Sequence, residues 1–216
     1  MHKLISTIFK TLGITEEKCV VCGGPNLPDD QGYVCEECLN LISPTCPIVY
    51  EPLPYVSSYR VYGRYEDVLR DVILCIKFNS NIPLARKLGQ VISLHLWEYI
   101  KDINPDFITY PAINLRRLWT RGFNHVEELL KGASVPYMSL FKRVGLDGPS
   151  VRMRKEERYK KVQNHRLREE LAGLLEGKRV LVVDDVLTTG ATISRLGELL
   201  LSAGAEEVNA FFVAKE

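Results

Sequence analysis

The chain has 216 residues, 46% of them hydrophobic and 25% charged, with a formal net charge of +1. That length suits one full domain with a small appendage, or a single large domain, and the hydrophobic share is ample for a core. Near-neutrality excludes a polyanion binder working through bulk charge. No uncharged apolar stretch reaches the roughly 18 residues of a membrane span.

The opening, residues 1–13, is basic and mildly amphipathic, but Ser6, Thr7 and Lys10 break its apolar run. It reads as a docked or frayed terminus, or a short interfacial helix, and not as a secretory signal. A cytoplasmic protein is expected.

Four of the six cysteines then form two knuckles, Cys19-x-x-Cys22 and Cys35-x-x-Cys38. Two such pairs at this separation can bring four thiolates to the corners of one tetrahedron, the geometry that Zn²⁺ prefers. Gly23 and Gly24 follow the first knuckle, where backbone amides must turn towards sulfur, while Pro25 and Pro28 keep the span irregular. A redox pair is the alternative. Four thiolates leave no open coordination position, so the zinc would be structural, stabilising a module too small to fold on its own core. Cys46 and Cys75 read as ordinary residues. A proline-rich linker at 43–54 separates the cysteine-rich module, residues 1–50, from the rest, residues 51–216.

Beyond the linker, residues 56–62 suit a strand. Val68, Leu69, Val72, Ile73 and Ile76 mark the buried stripe of a helix closed by Lys77, Phe78 and Asn79. Asn81-Ile82-Pro83 opens a second helix, to about residue 101, which Asn104-Pro105 breaks. A strand at 106–110, a basic loop at 111–122, a helix at 123–131 and a strand at 137–143 follow. Residues 145–156 read as a connection, and a polar helix is expected up to about 175. A buried strand at 180–183, a helix at 191–203 and a last strand at 208–213 end the chain. Strands alternating with helices predict an α/β fold with a largely parallel sheet.

The segment Val180 to Thr192 carries the most chemistry. Its apolar strand runs into Asp184 and Asp185, at the carboxyl end where open α/β sheets bind ligands. Thr188, Thr189, Gly190, Ala191 and Thr192 then open a helix. Backbone N–H groups at a helix start, joined by hydroxyls, suit a dianionic phosphate, and Gly190 would let the main chain approach it. A sugar phosphate fits both halves; a strand–turn–helix without a ligand is the alternative. Upstream, Arg116 and Arg117, with Arg121 five residues beyond Arg116, can clamp a pyrophosphate, or form a solvated basic loop. From 116 to 168 there are fourteen Lys/Arg against five Asp/Glu, an excess suited to a phosphate-rich substrate or to nucleic acid. Nothing reads as a base-recognition hood, and Trp97 and Trp119 suit core or surface as well as stacking.

The acidic–threonine loop resembles that of the type I phosphoribosyltransferases, which bind phosphoribosyl pyrophosphate (PRPP). Together with the zinc knuckles, Ile76-Lys77-Phe78, Arg121-Gly122-Phe123-Asn124 and the basic run from Arg152 to Arg158, the chain resembles the ComF/GntX family nearly throughout. His125 stands where that family usually has glutamine. The resemblance implies a type I phosphoribosyltransferase-like parallel sheet with flanking helices, preceded by a small zinc-binding module. It implies that Asp184 and Asp185 address the ribose hydroxyls and that residues 188–192 hold the 5′-phosphate. Arg116, Arg117 and Lys77 would hold pyrophosphate bridged by Mg²⁺, and Arg152 and Lys155 would close over it. It further implies a part in DNA uptake and natural transformation, with transfer of phosphoribosyl to an acceptor. The alternatives are a non-catalytic PRPP or nucleotide sensor that binds single-stranded DNA or a helicase partner, and a zinc-stapled scaffold.

Overall fold

The computed structural model describes residues 18–24, 34–45, 52–144 and 164–216. The expectations placed on residues 1–13, Pro25, Pro28, Cys46, Arg152 and Lys155 lie outside them.

Four parallel strands form the sheet: β1 (Ser58–Arg64), β2 (Phe107–Thr109), β5 (Arg179–Leu187) and β6 (Glu207–Lys215), in the order β1-β6-β5-β2. The two inner strands carry the longest apolar runs because both their faces are covered. Leu181, Val183, Phe211 and Val213 pack to one face, under helices α2 (Asp67–Asn79), α3 (Ile82–Ile103) and α5 (His125–Gly132). Val180, Val182, Val208, Ala210 and Phe212 pack to the other, with Leu196 and Leu200 of α7 (Ala191–Ser202). This is the parallel sheet with flanking helices expected from the alternating elements. No helix among the described residues is long and apolar enough to cross a membrane.

The stripe expected of α2 is present: Leu69, Val72, Ile73 and Ile76 are buried. Asn81 caps α3 by accepting from the Leu84 N–H, and Asn104 closes it in the left-handed region at φ 44°. A short helix α1 (Glu36–Asn40) carries Cys38, the last of the four knuckle cysteines. Cys19, Cys35, Cys38, Leu39 and Ile42 share one continuous core with α2 and α3. Thr45 extends this contact: its N–H donates to Tyr62 O and its hydroxyl accepts from the Arg64 N–H.

Three expectations are corrected. Residues 111–122 are not all loop, for α4 (Leu115–Arg121) carries the arginines. It buries none of its residues, so it has no apolar stripe to reveal it. Of the polar helix expected up to about 175, the described residues, from 164 on, form instead strand β4 (His165–Leu167) followed by one turn, α6 (Glu169–Ala172). β4 pairs antiparallel with β3 (Phe141–Arg143), a tertiary contact that local composition does not disclose. The strand expected at 137–143 keeps only those last three residues.

One close approach sets where the site's helices sit. A Cβ on Gly89 of α3 would lie 2.1 Å from Leu129 O, and one on Gly132 of α5 would lie 2.0 Å from Arg86 O. The two backbones touch at both glycines, which fixes α5 against the long helix. Gly132→Ala should therefore destabilise the protein by about 1–3 kcal/mol, the usual cost of overpacking, read as a lowered melting temperature. Gly173→Ala, where an added Cβ meets nothing within 4 Å, should leave the melt unchanged.

Candidate functional site

At the carboxyl edge of the sheet the chain encloses a cleft of about 740 Å³. Three connections meet there. α2 supplies Lys77, the segment after β2 supplies Arg116 and Arg117, and the end of β5 supplies Asp184, Asp185, Thr188, Thr189, Ala191 and Thr192. Residues predicted from separate stretches of sequence thus line one cavity, of a size usual for small-molecule sites.

β5 does not stop before the acids. Its ladder with β6 runs on through Asp184↔Phe212 to Leu187↔Lys215, which holds both carboxylates on rigid strand. Asp184 Oδ1 accepts the Asp185 N–H at 2.8 Å. Asp185 Oδ2 receives the Lys77 ammonium at 2.7 Å and also the His125 imidazole Nε2. Lys77, expected on the pyrophosphate, is paired with Asp185 in the structure. Burial works against the charge on Asp185, but Lys77 and His125 outweigh it and hold this carboxyl well below the usual range. Asp184 goes the other way: burial, aided by the charge on Asp185, pushes it up to about 7. Two adjacent acids thus shift in opposite directions, because Lys77 and His125 make their direct contacts with Asp185 alone.

Gly190 has a different role from the one expected. It is buried, sits at φ +73°, and does not line the cleft; a Cβ there would lie 2.6 Å from Leu53 Cδ2. Glycine is needed for the turn and for the packing beneath it. Thr188 and Thr189 are exposed towards the cleft, and Thr189 Oγ1 accepts the Ala191 N–H at 3.4 Å.

Arg121-Gly122-Phe123-Asn124 is in large part a helix-stop, helix-start device. Gly122 ends α4 at φ 79°, and Phe123 is buried. Asn124 caps α5 by accepting from the Val126 N–H, while its Nδ2 donates to Pro111 O. Asn114 starts α4 by accepting from the Arg117 N–H at 2.7 Å. These caps aim the arginines at the cleft. Burial and the neighbouring Arg117 both lower the Arg121 guanidinium, a crowding of cations that a bound anion relieves. Phe78, singled out with Lys77, gives the cleft an apolar wall with Tyr65 and Leu74, which sequence reasoning missed, as it missed the contact of His125 with Asp185. Leu74 and Phe78, four apart on α2, stand on the same helix face, a spacing that could have revealed Leu74.

The sulfurs of Cys19, Cys22, Cys35 and Cys38 all lie within 4.8 Å of one another, with Cys22 and Cys35 at 3.7 Å. A tetrahedron with Zn–S of about 2.3 Å has edges of about 3.8 Å, so the donor set fits zinc. Gly24 N–H donates to Cys22 Sγ and Cys35 N–H to Cys19 Sγ, both at 3.4 Å, as expected of amides turned towards sulfur. Burial opposes ionisation of Cys19, but the backbone N–H groups of Cys22, Cys35 and Val21 outweigh it and lower the thiol to about 6. Cys38 is pushed far up by burial and by the neighbouring sulfurs. Charge on four adjacent thiolates needs a cation between them, and binding one would release protons. Metal analysis should find one zinc per chain, lost in Cys38→Ser; removal by a chelator should lower the melting temperature.

The phosphoribosyl transferase domain model matches residues 129–216. Competence protein ComFC of Streptococcus pneumoniae is 31% identical over 165 residues, which covers 73% of this chain and 68% of that protein. The DNA utilization protein YhgH of Escherichia coli is 25% identical over 208 residues, covering 91% of this chain and 83% of that one. A solved hypoxanthine phosphoribosyltransferase from Staphylococcus aureus aligns over 61% of this chain and 65% of its own, at 17% identity and a TM-score of 0.36. With its four-cysteine cluster ahead of a phosphoribosyltransferase-like sheet, the chain belongs to the ComF family.

Proposed function

We propose that this chain binds PRPP in the carboxyl-edge cleft and transfers its phosphoribosyl group to an acceptor. The observation that carries the reading is the meeting of an acid pair, a hydroxyl-rich turn opening a helix, and an arginine-bearing helix in one cavity. In this reading the 5′-phosphate sits on the 188–192 turn, supported by the start of the twelve-residue helix α7 there. The ribose hydroxyls donate to Asp184 and Asp185, and the diphosphate lies against Arg116 and Arg117. In the reaction the bond from the anomeric carbon to diphosphate breaks, and the electron pair leaves with the diphosphate. A bond to the acceptor forms, and the acceptor sheds its proton. Cations around the leaving group and a fixed ribose are what such a displacement requires.

Mg²⁺ belongs to the same reading. Asp185 Oδ2 is already taken by two donors, so the described residues offer no ready carboxylate cage in the cleft. An ion that keeps its waters and is shared with the ligand's phosphates suits this donor set, and its chemistry would be to neutralise charge on the diphosphate. The division into a cysteine-rich module, residues 1–50, and a phosphoribosyltransferase-like unit, residues 51–216, is part of the proposal. So are a part in DNA uptake, suggested by relatives named for competence and DNA utilization, and a place in the cytoplasm.

A second reading has its own observation. On α4, Leu115, Leu118 and Trp119 are exposed, Trp119 at 88%, on the helix that carries Arg116, Arg117 and Arg121. Aromatic and guanidinium groups together suit a single nucleic-acid strand. This supports a PRPP-sensing module that handles single-stranded DNA, alone or with a helicase. Trp97 is half-buried and donates Nε1–H to Ala133 O, so quenching of fluorescence by oligo-dT reports Trp119. Under this reading quenching weakens steeply with salt and disappears in Trp119→Ala.

Calorimetry with PRPP and Mg²⁺ tests the main reading. Asp185→Asn should lose about 10- to 100-fold in affinity, the worth of a charge-assisted hydrogen bond; equal binding overturns the assignment. Pyrophosphate release across a panel of bases separates a transferase from a sensor. The raised Asp184 adds a pH dependence. Its folded value lies above the ordinary 3.8, so it contributes stability at low pH that is lost as pH rises through about 7. Above pH 7, Asp184→Asn should therefore melt higher than wild type. Because the ionised acid accepts from the ribose, ribose 5-phosphate affinity should rise through that range in wild type more than in Asp184→Asn.

A further inference from the structure

We propose that His125 is a positioning residue that keeps Asp185 in place while Lys77 moves from that acid to the ligand's diphosphate. The proposal rests on the PRPP reading above. Its starting point is that two donors from two helices converge on one oxygen, Asp185 Oδ2: Lys77 Nζ from α2 at 2.7 Å and His125 Nε2 from α5. One ammonium already neutralises the carboxylate. A second donor on the same oxygen gains its importance when the first departs.

The two donors differ in freedom. Lys77 sits in the last turn of α2, on a flexible four-carbon stem, and lines the cleft together with Arg116 and Arg117. A diphosphate against those arginines carries more charge than one carboxylate and attracts the ammonium more strongly. His125 is the first residue of α5, a helix held at both ends. Asn124 caps the helix and ties it to Pro111 O, and the Gly89–Gly132 approach locks α5 on α3. Arg121 Nη1 reaches His125 Nδ1 at 3.5 Å. A guanidinium only donates, so Nδ1 accepts, and Nε2 bears the hydrogen given to Asp185. Without that hydrogen bond, withdrawal of Lys77 would strand a buried charge. With it, Oδ2 stays occupied and Oδ1 stays turned to the ribose. Lys77 thereby serves both the acid seen in the structure and the diphosphate assigned to it from sequence.

Calorimetric titrations of ribose 5-phosphate and of PRPP with Mg²⁺ test this, using wild type, Lys77→Met, His125→Ala and His125→Gln. Wild type should prefer PRPP by at least about tenfold, equivalent to about 1.4 kcal/mol. His125→Ala should remove most of that preference while ribose 5-phosphate affinity stays within about twofold, since Lys77 then remains on Asp185. His125→Gln, whose amide N–H can reach the same oxygen, should restore it. Lys77→Met should also remove it, and adding His125→Ala should lower it no further. The proposal is overturned if His125→Ala leaves the preference intact, if it weakens both ligands equally, or if glutamine fails to rescue. Should wild type bind ribose 5-phosphate without preferring PRPP, this proposal alone falls; should it bind neither, the PRPP reading falls with it.

Discussion

The site depends on how a pair of adjacent carboxylates is kept at the end of a buried strand. Two acids in sequence on β5 repel each other and lose hydration, and neither effect can be relieved by moving, because the ladder with β6 fixes the backbone on both sides of them. The chain resolves this unequally. Lys77 and His125 are spent on Asp185, which stays charged, and Asp184 is left to burial, which raises it. Unequal charging is cheaper than ionising both, and it leaves one carboxyl that can respond to a ligand. The surrounding elements serve this arrangement: α2 delivers the lysine, α5 delivers the histidine, and the glycines at the α3–α5 contact hold the delivery in register.

Much of this was legible in the sequence because the relevant signals are local. The apolar run of Val180 to Val183 announces a strand covered on both faces, and the pattern from Val68 to Ile76 announces a buried helix face. Asn81 and Asn104 mark the ends of α3 by side-chain capping and by the left-handed turn. The four cysteines disclose their cluster by spacing alone, since a tetrahedral donor set leaves few other arrangements. What failed to show is what depends on distant partners. α4 is helical without burying a residue, so it is held by its asparagine and glycine ends and not by a stripe. β4 is a strand only because β3 lies beside it. Gly190 looked like a ligand-facing glycine, yet the constraint comes from Leu53, more than a hundred residues away in sequence. Lys77 and His125 could each be singled out, but nothing local says that they meet on one oxygen.

The arginine-bearing segment shows how a motif divides between structure and chemistry. Gly122 and Asn124 are accounted for by helix geometry, a left-handed stop and a capped start, and would be needed with no ligand at all. Phe123 is core. The guanidiniums of Arg116, Arg117 and Arg121 line the cleft and are what the motif leaves over from helix geometry. The aromatic and apolar residues of the cleft, Tyr65, Leu74 and Phe78, have no counterpart among the charged groups opposite them, so the cavity offers an apolar wall as well as a polar one.

The cysteine cluster and the cleft are joined by one element. Cys19, Cys35, Cys38, Leu39 and Ile42 pack into the same core as Val72, Ile73 and Ile76, so the module covers the back of α2. Cys75 lies on that buried side, and its thiol is raised by burial with a further contribution from Cys19, which places the cluster close behind the helix. Lys77 is two residues further on and points the other way, into the cleft. A thirteen-residue helix with few turns to spare cannot shift on one side and stay fixed on the other. Whatever holds the four sulfurs together therefore also sets the position from which Lys77 reaches Asp185. A structural metal at that cluster would act on the cleft through the packing of a single helix.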